Sequence, residues 1–147
     1  CPARGPLWLQ LYWQADRGLN AALLQRAEAA GYEAIVLTVD APVQGMRDAE
    51  LRAGFRLPPG ITAVHLPEGD LNADAARAAA DTYCAGVAAS APIWDDVAWL
   101  QAQTRLPVWL KGVLHPADAR QAQSLGVAGR IVSNHGGRTL DTAPATA

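Results

Sequence analysis

Between Arg130 and Arg138 the chain reads Arg-Ile-Val-Ser-Asn-His-Gly-Gly-Arg, so a hydroxyl, an amide, an imidazole and a guanidinium follow in close succession. Imidazole exchanges protons near neutral pH, and a guanidinium just after it is a fixed cation that grips carboxylates in a planar fork. A base beside an anion clamp suits proton abstraction from a carboxylate-bearing substrate. Three other places carry comparable groups. Gln10 and Tyr12 offer an amide and a phenol, Thr38 and Asp40 a hydroxyl and a carboxylate, and Lys111 an ammonium after the apolar Val108-Trp109-Leu110. Each of these has a plainer reading. His135 could be a satisfied histidine in a polar loop, Tyr12 a buried aromatic, Gln10 a backbone partner, and Lys111 a side chain snorkelling from a strand end.

The elements that must position these groups form an alternation of strands and helices. Residues 7–13 read as a strand opened by Pro6. Residues 19–30 read as an amphipathic helix with Leu19, Leu23, Ala27 and Ala30 on one face, closed by Gly31. Residues 34–39 are apolar throughout, as a parallel strand covered on both faces is. Residues 41–61 carry the turn formers Gly45, Gly54, Pro58, Pro59 and Gly60, and residues 64–72 are irregular. Residues 73–89 are Ala-rich and partly helical in character. A helix from Asp95 or Asp96 to Gln103 precedes a strand over 108–111. Pro116 opens a helix to Leu125 that Gly126 ends, and residues 128–132 form the last strand. The expected class is α/β with about four parallel strands and intervening helices. Side chains alternate along a strand. Ile131, Ser133 and His135 are therefore expected on one face, with the imidazole at the strand tip and Gly136 and Gly137 turning the chain beyond it. In this class reactive groups collect at the C-terminal ends of strands. Four successive strands, each with polar groups in phase at its tip, point to one shared pocket.

Composition narrows the function. The 147 residues are half hydrophobic with a net charge of −2, enough for one domain with a buried core. Basic residues are scattered without a Lys/Arg run, which speaks against a nucleic-acid partner. No apolar run approaches the ~18 residues of a membrane span, and no signal peptide is visible. Cys1 and Cys84 are far apart and lack metal-ligand spacing, so no metal is expected and two free thiols suit a cytoplasmic location. His65 and His115 lie outside any motif, and the five tryptophans are read as packing residues.

The motifs Leu9-Gln10-Leu11-Tyr12, Leu37-Thr38-Val39-Asp40-Ala41-Pro42, Leu110-Lys111-Gly112-Val113 and Ser133-Asn134-His135-Gly136-Gly137-Arg138 are, in order and spacing, similar to those of the FMN-dependent α-hydroxy-acid oxidase/dehydrogenase family. Gly54-Phe55-Arg56-Leu57-Pro58-Pro59-Gly60 and Trp94-Asp95-Asp96-Val97-Ala98-Trp99-Leu100 add to the resemblance, which runs along essentially the whole chain. It implies part of a TIM (β/α)8 barrel, the third to sixth strands, and an activity oxidising a small L-2-hydroxy acid such as lactate or glycolate to the 2-oxo acid. It further implies FMN as cofactor, with Gln10, Thr38, Lys111 and Ser133 facing the flavin. Tyr12, Arg47, His135 and Arg138 would face the substrate, the two arginines on its carboxylate and Tyr12 near its hydroxyl oxygen. His135 would act as base, with Asp40 stabilising the imidazolium. For Arg47 a surface ion pair with Asp48 or Glu50 competes with that role.

Departures from the family pattern set further expectations. Arg130 falls where an aliphatic residue is usual, on the face expected to meet helices, so a buried guanidinium there needs a partner or an opening. Trp109 puts a large ring where the barrel interior usually takes an aliphatic chain. The first Cys1-Pro2 and the last Thr146-Ala147 both read as cut from something longer, a central barrel segment spanning residues 1–147. The phosphate-binding loops of the family follow strands beyond this stretch. Four strands cannot close an eight-stranded barrel and leave two parallel edges. A homo-oligomer, completion by the other barrel half, or a non-catalytic half-barrel module that keeps the motifs without a complete FMN site are the alternatives this leaves.

Overall fold

The computed structural model describes residues 5–41, 49, 52–55, 58, 60–61, 91–139 and 142–146. The elements expected over 64–72 and 73–89, together with Arg47, His65, Cys1 and Cys84, lie outside the described residues. Four strands, β1 (Trp8–Tyr12), β2 (Ala34–Thr38), β3 (Val108–Lys111) and β4 (Gly129–Ile131), pair in parallel in the order β1-β2-β3-β4. Three helices, α1 (Arg17–Ala29), α2 (Trp94–Ala102) and α3 (Pro116–Ser124), alternate with them. This is the α/β alternation expected from the apolar runs.

Register fixes which side chains share a face. Gln10 pairs with Val36 and Val36 with Trp109; Tyr12 pairs with Thr38, Thr38 with Lys111, and Lys111 with Ile131. The opposite face carries Leu11, Ile35, Leu37, Val108 and Leu110, which form the core with Leu24 and Ala27 of α1, Val97 and Leu100 of α2, and Ala122 of α3. Every residue of β2 is buried, as a central parallel strand requires. A fully buried leucine such as Leu24 or Leu100 stabilises the fold by about 1.5–3 kcal/mol.

Helix ends are set by local chemistry. Asp16 caps α1, its Oδ1 accepting from the backbone N–H of Gly18 at 2.7 Å and Leu19 at 3.4 Å. Asp96, in the first turn of α2, accepts from the Ile93 N–H at 3.0 Å and from Arg17 Nη2 at 2.6 Å, tying α2 to the start of α1. Helices α1 and α3 end alike. The N–H of Tyr32 donates to the Ala27 carbonyl at 3.0 Å and that of Gly31 to Glu28 at 3.1 Å; Val127 donates to Ala122 at 3.2 Å and Gly126 to Gln123 at 3.0 Å. Both are Schellman closures around a left-handed glycine, and both deliver the chain straight into the next strand.

Two expectations need correction. Ala27 of the expected α1 stripe is buried and Leu23 packs partly buried against the core, but the other buried residues are Asn20 and Leu24 rather than Leu19 and Ala30. The helix is so Ala-rich that its apolar face is poorly marked, and the polar Asn20 is drawn inside by the loop groups it satisfies. The second correction is that β4 stops at Ile131, so strand alternation does not reach His135, which lies in a 3-10 turn (His135–Gly137). Arg130 meets its expectation: on the helix-facing side it is exposed, and its Nη1 donates to the Ala119 carbonyl of α3 at 2.6 Å, an opening and a partner together. Trp109 is accommodated by its register partner. It lies across Gly129, which has no side chain to obstruct the ring, and against Trp8 with ring centroids 5.0 Å apart.

Candidate active site

The polar residues collect at the C-terminal ends of the strands. On β1 and β2, Gln10 Nε2 donates to Thr38 Oγ1 at 2.9 Å and reaches Tyr12 Oη at 3.5 Å. Thr38 is buried, so its hydroxyl is spent on specific neighbours rather than on water. Two residues beyond Thr38, Asp40 is held near the sheet because the Val39 N–H donates to the Lys111 carbonyl at 2.9 Å.

His135 sits opposite. Its φ is +57°, the only non-glycine positive value among the described residues, a conformation that costs an L-residue on the order of 1–3 kcal/mol. Its neighbours hold it there. The His135 N–H donates to Ser133 Oγ at 3.0 Å, and Asn134 Oδ1 accepts from the Gly136 N–H at 3.0 Å. Asn134 Nδ2 anchors the same turn to the Pro144 carbonyl at 3.0 Å. Backbone strain at one histidine, secured by side-chain hydrogen bonds, marks a residue whose orientation matters.

His135 Nδ1 lies 2.9 Å from Asp40 Oδ1. An ionised carboxylate only accepts hydrogen bonds, so Nδ1 carries the proton and Nε2 is left bare to act as a base. Lys111 Nζ is 3.4 Å from Nδ1, but two donors do not bond; its attraction is to Asp40 Oδ2, at 3.8 Å. Asp40 is therefore shared between an imidazole and an ammonium, with only 9% of its side chain exposed. Oδ2 is buried and accepts no hydrogen bond among the described residues. Such a half-satisfied carboxylate can stabilise positive charge as it develops on the imidazole. The Tyr12 ring meets the His135 ring edge-on with centroids 6.3 Å apart, and it is half exposed, open to a ligand.

The structure thus brings Gln10, Tyr12, Thr38, Asp40, Lys111, Ser133 and His135 into one connected group. Arg138 closes the His135 turn, its N–H donating to the His135 carbonyl at 3.3 Å, and its side chain is exposed. Arg47 is outside the described residues. Asn134 escaped notice as a turn anchor; an Asn directly before His-Gly-Gly is the signal that could have found it, because Asn side chains bond the backbone two residues on. His115 has a structural task, its Nδ1 accepting from the Ala117 N–H at 3.2 Å to cap α3. Among the described residues no group of His, Cys, Asp and Glu could hold a metal ion, and no helix is long and apolar enough to cross a membrane.

The donor set suits a flavin ring. Thr38, having accepted from Gln10, keeps its own O–H to donate, and the Gln10 carboxamide adds an oxygen acceptor beside it. That alternation would fit a ring edge of alternating N–H and C=O groups, and Lys111 would supply a cation for a reduced, anionic ring.

Comparison with known proteins follows the same line. The sequence profile of the family described as FMN-dependent dehydrogenase matches residues 2–147. An L-lactate oxidase from Alicycliphilus denitrificans is 53% identical over 146 residues, covering 98% of this chain and 40% of the relative. Glycolate oxidase from Spinacia oleracea is 46% identical over 144 residues, covering 97% and 39%. Among solved structures, mandelate oxidase matches with a TM-score of 0.74 at 43% identity, over 92% of this chain and 36% of that one. A mandelate oxidase variant with (S)-mandelic acid matches with a TM-score of 0.76 at 41% identity. The four parallel strands and their helices correspond to part of that enzyme's TIM barrel. The chain spans about two-fifths of the length of the curated relatives it matches.

Proposed function

Because the chain belongs to the FMN-dependent dehydrogenase family, we propose that it oxidises a small L-2-hydroxy acid of the lactate or glycolate kind to the 2-oxo acid. The observation that carries this reading is the His135 Nδ1–Asp40 Oδ1 contact of 2.9 Å, which leaves Nε2 as a base of defined tautomer. Relatives named L-lactate oxidase and glycolate oxidase favour a small aliphatic substrate over a bulky one.

In this reading Gln10, Thr38, Lys111 and Ser133 hold FMN, and the flavin, when bound, takes up the two electrons released by the substrate. The chain's own residues do the rest. Arg138, with Arg47, grips the substrate carboxylate. Tyr12 hydrogen-bonds the hydroxyl oxygen. His135 Nε2 receives the substrate proton, and Asp40 stabilises the imidazolium that results.

The test is spectroscopic. The full chain is incubated with FMN and desalted, and its visible spectrum is followed anaerobically on adding L-lactate, glycolate or D-lactate. Retained flavin bands that bleach with L-lactate or glycolate and persist with D-lactate support the proposal. A flavin-loaded protein that no 2-hydroxy acid bleaches rejects it.

A further inference from the structure

We propose that Gly112 is a positioning residue for the base: the missing side chain at this position is what lets Asp40 reach His135. The inference rests on the reading of Asp40 and His135 given above and goes beyond it to a residue with no reactive group of its own. A Cβ built at Gly112 would lie 2.4 Å from both Cβ and Cγ of Asp40 and 2.8 Å from its backbone nitrogen. These are atoms at the root of the side chain and in the main chain, which cannot swing aside as a flexible tip can. The Gly112 φ of +110° is also one that L-residues avoid.

The glycine backbone has no room to retreat. Its N–H donates to the Ile131 carbonyl of β4 at 3.0 Å, while the preceding Lys111 carbonyl accepts from Val39, the neighbour of Asp40, at 2.9 Å. The segment just past β3 is thus fixed from both sides. An added methyl must therefore move Asp40, and ordinary contact at ~3.4 Å requires a shift of about 1 Å. A displacement of that size lengthens the 2.9 Å contact to His135 beyond hydrogen-bonding range. Misplacement by about 1 Å in a catalytic site costs about 10²-fold in rate. Gly129 is equally crowded, but its obstacle is the Trp109 ring, outside the base pair.

The test is a cycle of flavin-loaded full-chain variants: Gly112→Ala, Asp40→Gly, their double variant, and Gly126→Ala. The last puts a side chain on another positive-φ glycine, at the milder φ of +73°, with nothing within 4 Å of its Cβ; the strain of Gly112 itself is carried by the double variant. Gly112→Ala is expected to lower kcat/KM about 10²-fold with normal flavin content, and to lose the far-downfield proton resonance of a His Nδ1–H bonded to a carboxylate. Gly126→Ala keeps both. The double variant is no slower than Asp40→Gly, because no carboxylate is left to displace. Unchanged kcat/KM in Gly112→Ala, or losses that multiply in the double variant, overturns the proposal. If Gly112→Ala does not fold, recovery of flavin-loaded protein in the double variant supports it, and failure there overturns it. An Asp40→Gly variant with normal turnover refutes instead the reading of the base pair, a separate result.

Discussion

Replacing Asn20 tests whether the loop that carries Tyr12 out of the sheet is held by one buried side chain. Asn20 is fully buried in α1. Its Oδ1 accepts from the Gln14 N–H at 3.0 Å, and its Nδ2 donates to the carbonyls of Gln14 at 2.6 Å and Asp16 at 3.0 Å. Gln14 in turn donates from Nε2 to the Tyr12 carbonyl at 2.9 Å, so the amide organises the turn that follows the phenol. Each bond contributes roughly 1 kcal/mol net. Gln14 is only half buried and Asp16 exposed, so water can recover part of the loss in Asn20→Ala, which should cost about 2–3 kcal/mol. Asn20→Asp keeps the shape but turns an acceptor toward two carbonyls. It should therefore cost more than Asn20→Ala at pH 7. Burial raises the pKa of such a carboxyl, so the folded form binds the proton more tightly. The extra destabilisation is then full above the folded pKa and fades as pH falls toward about 3.9, the ordinary aspartate value. Urea denaturation of the full chain at pH 7 and pH 5, followed by tryptophan fluorescence, measures all of this. An Asn20→Ala cost below ~0.5 kcal/mol, or an Asn20→Asp variant no worse than it at pH 7, would refute the reasoning.

Two further perturbations address packing and charge. Gly129→Ala places a methyl 2.2 to 2.6 Å from three ring atoms of Trp109 and should destabilise by about 1–3 kcal/mol. Thermal melts should show most of that loss recovered when Trp109→Leu is added, and additive losses would contradict the contact. Glu28 has its pKa lowered, first by the Thr104 hydroxyl at 2.6 Å and then by the Arg105 N–H at 2.8 Å. A depressed carboxyl stabilises fully above its unfolded pKa, about 4.3, and loses that contribution as pH falls through the folded value. Glu28→Gln should accordingly flatten the acid limb of the stability curve, and an unchanged limb would show that this carboxylate is not responsible.

Much of this architecture was legible because parallel strands are written as short apolar runs. Residues 34–38 and 108–111 needed nothing beyond composition and alternation to be read as strands. The polar residues at the strand tips were legible for the same reason, since phase along a strand follows from backbone geometry. Phase failed where the strand did. Beyond Ile131, His135 is oriented by a left-handed backbone and by Ser133 and Asn134, and period two carries no information about such a turn. Asn20 and Gly112 were harder still. The first is polar on a buried face because of loop carbonyls distant from any hydropathy signal, and the second acts through the absence of atoms. The helix-facing side of Arg130 and its need for a partner or an opening were legible, but face assignment alone does not name the Ala119 carbonyl that its long side chain reaches.

Turnover in the proposed reaction depends on His135 as the base. The most direct measurement is the anaerobic rate of flavin bleaching by L-lactate in the FMN-loaded full chain, compared between the wild type and His135→Gln. Loss of a general base should slow bleaching by about 10²–10⁴-fold, with flavin content unchanged because Gln10, Thr38 and Lys111 remain. A variant that keeps its flavin and bleaches at the wild-type rate would contradict the assignment of the base.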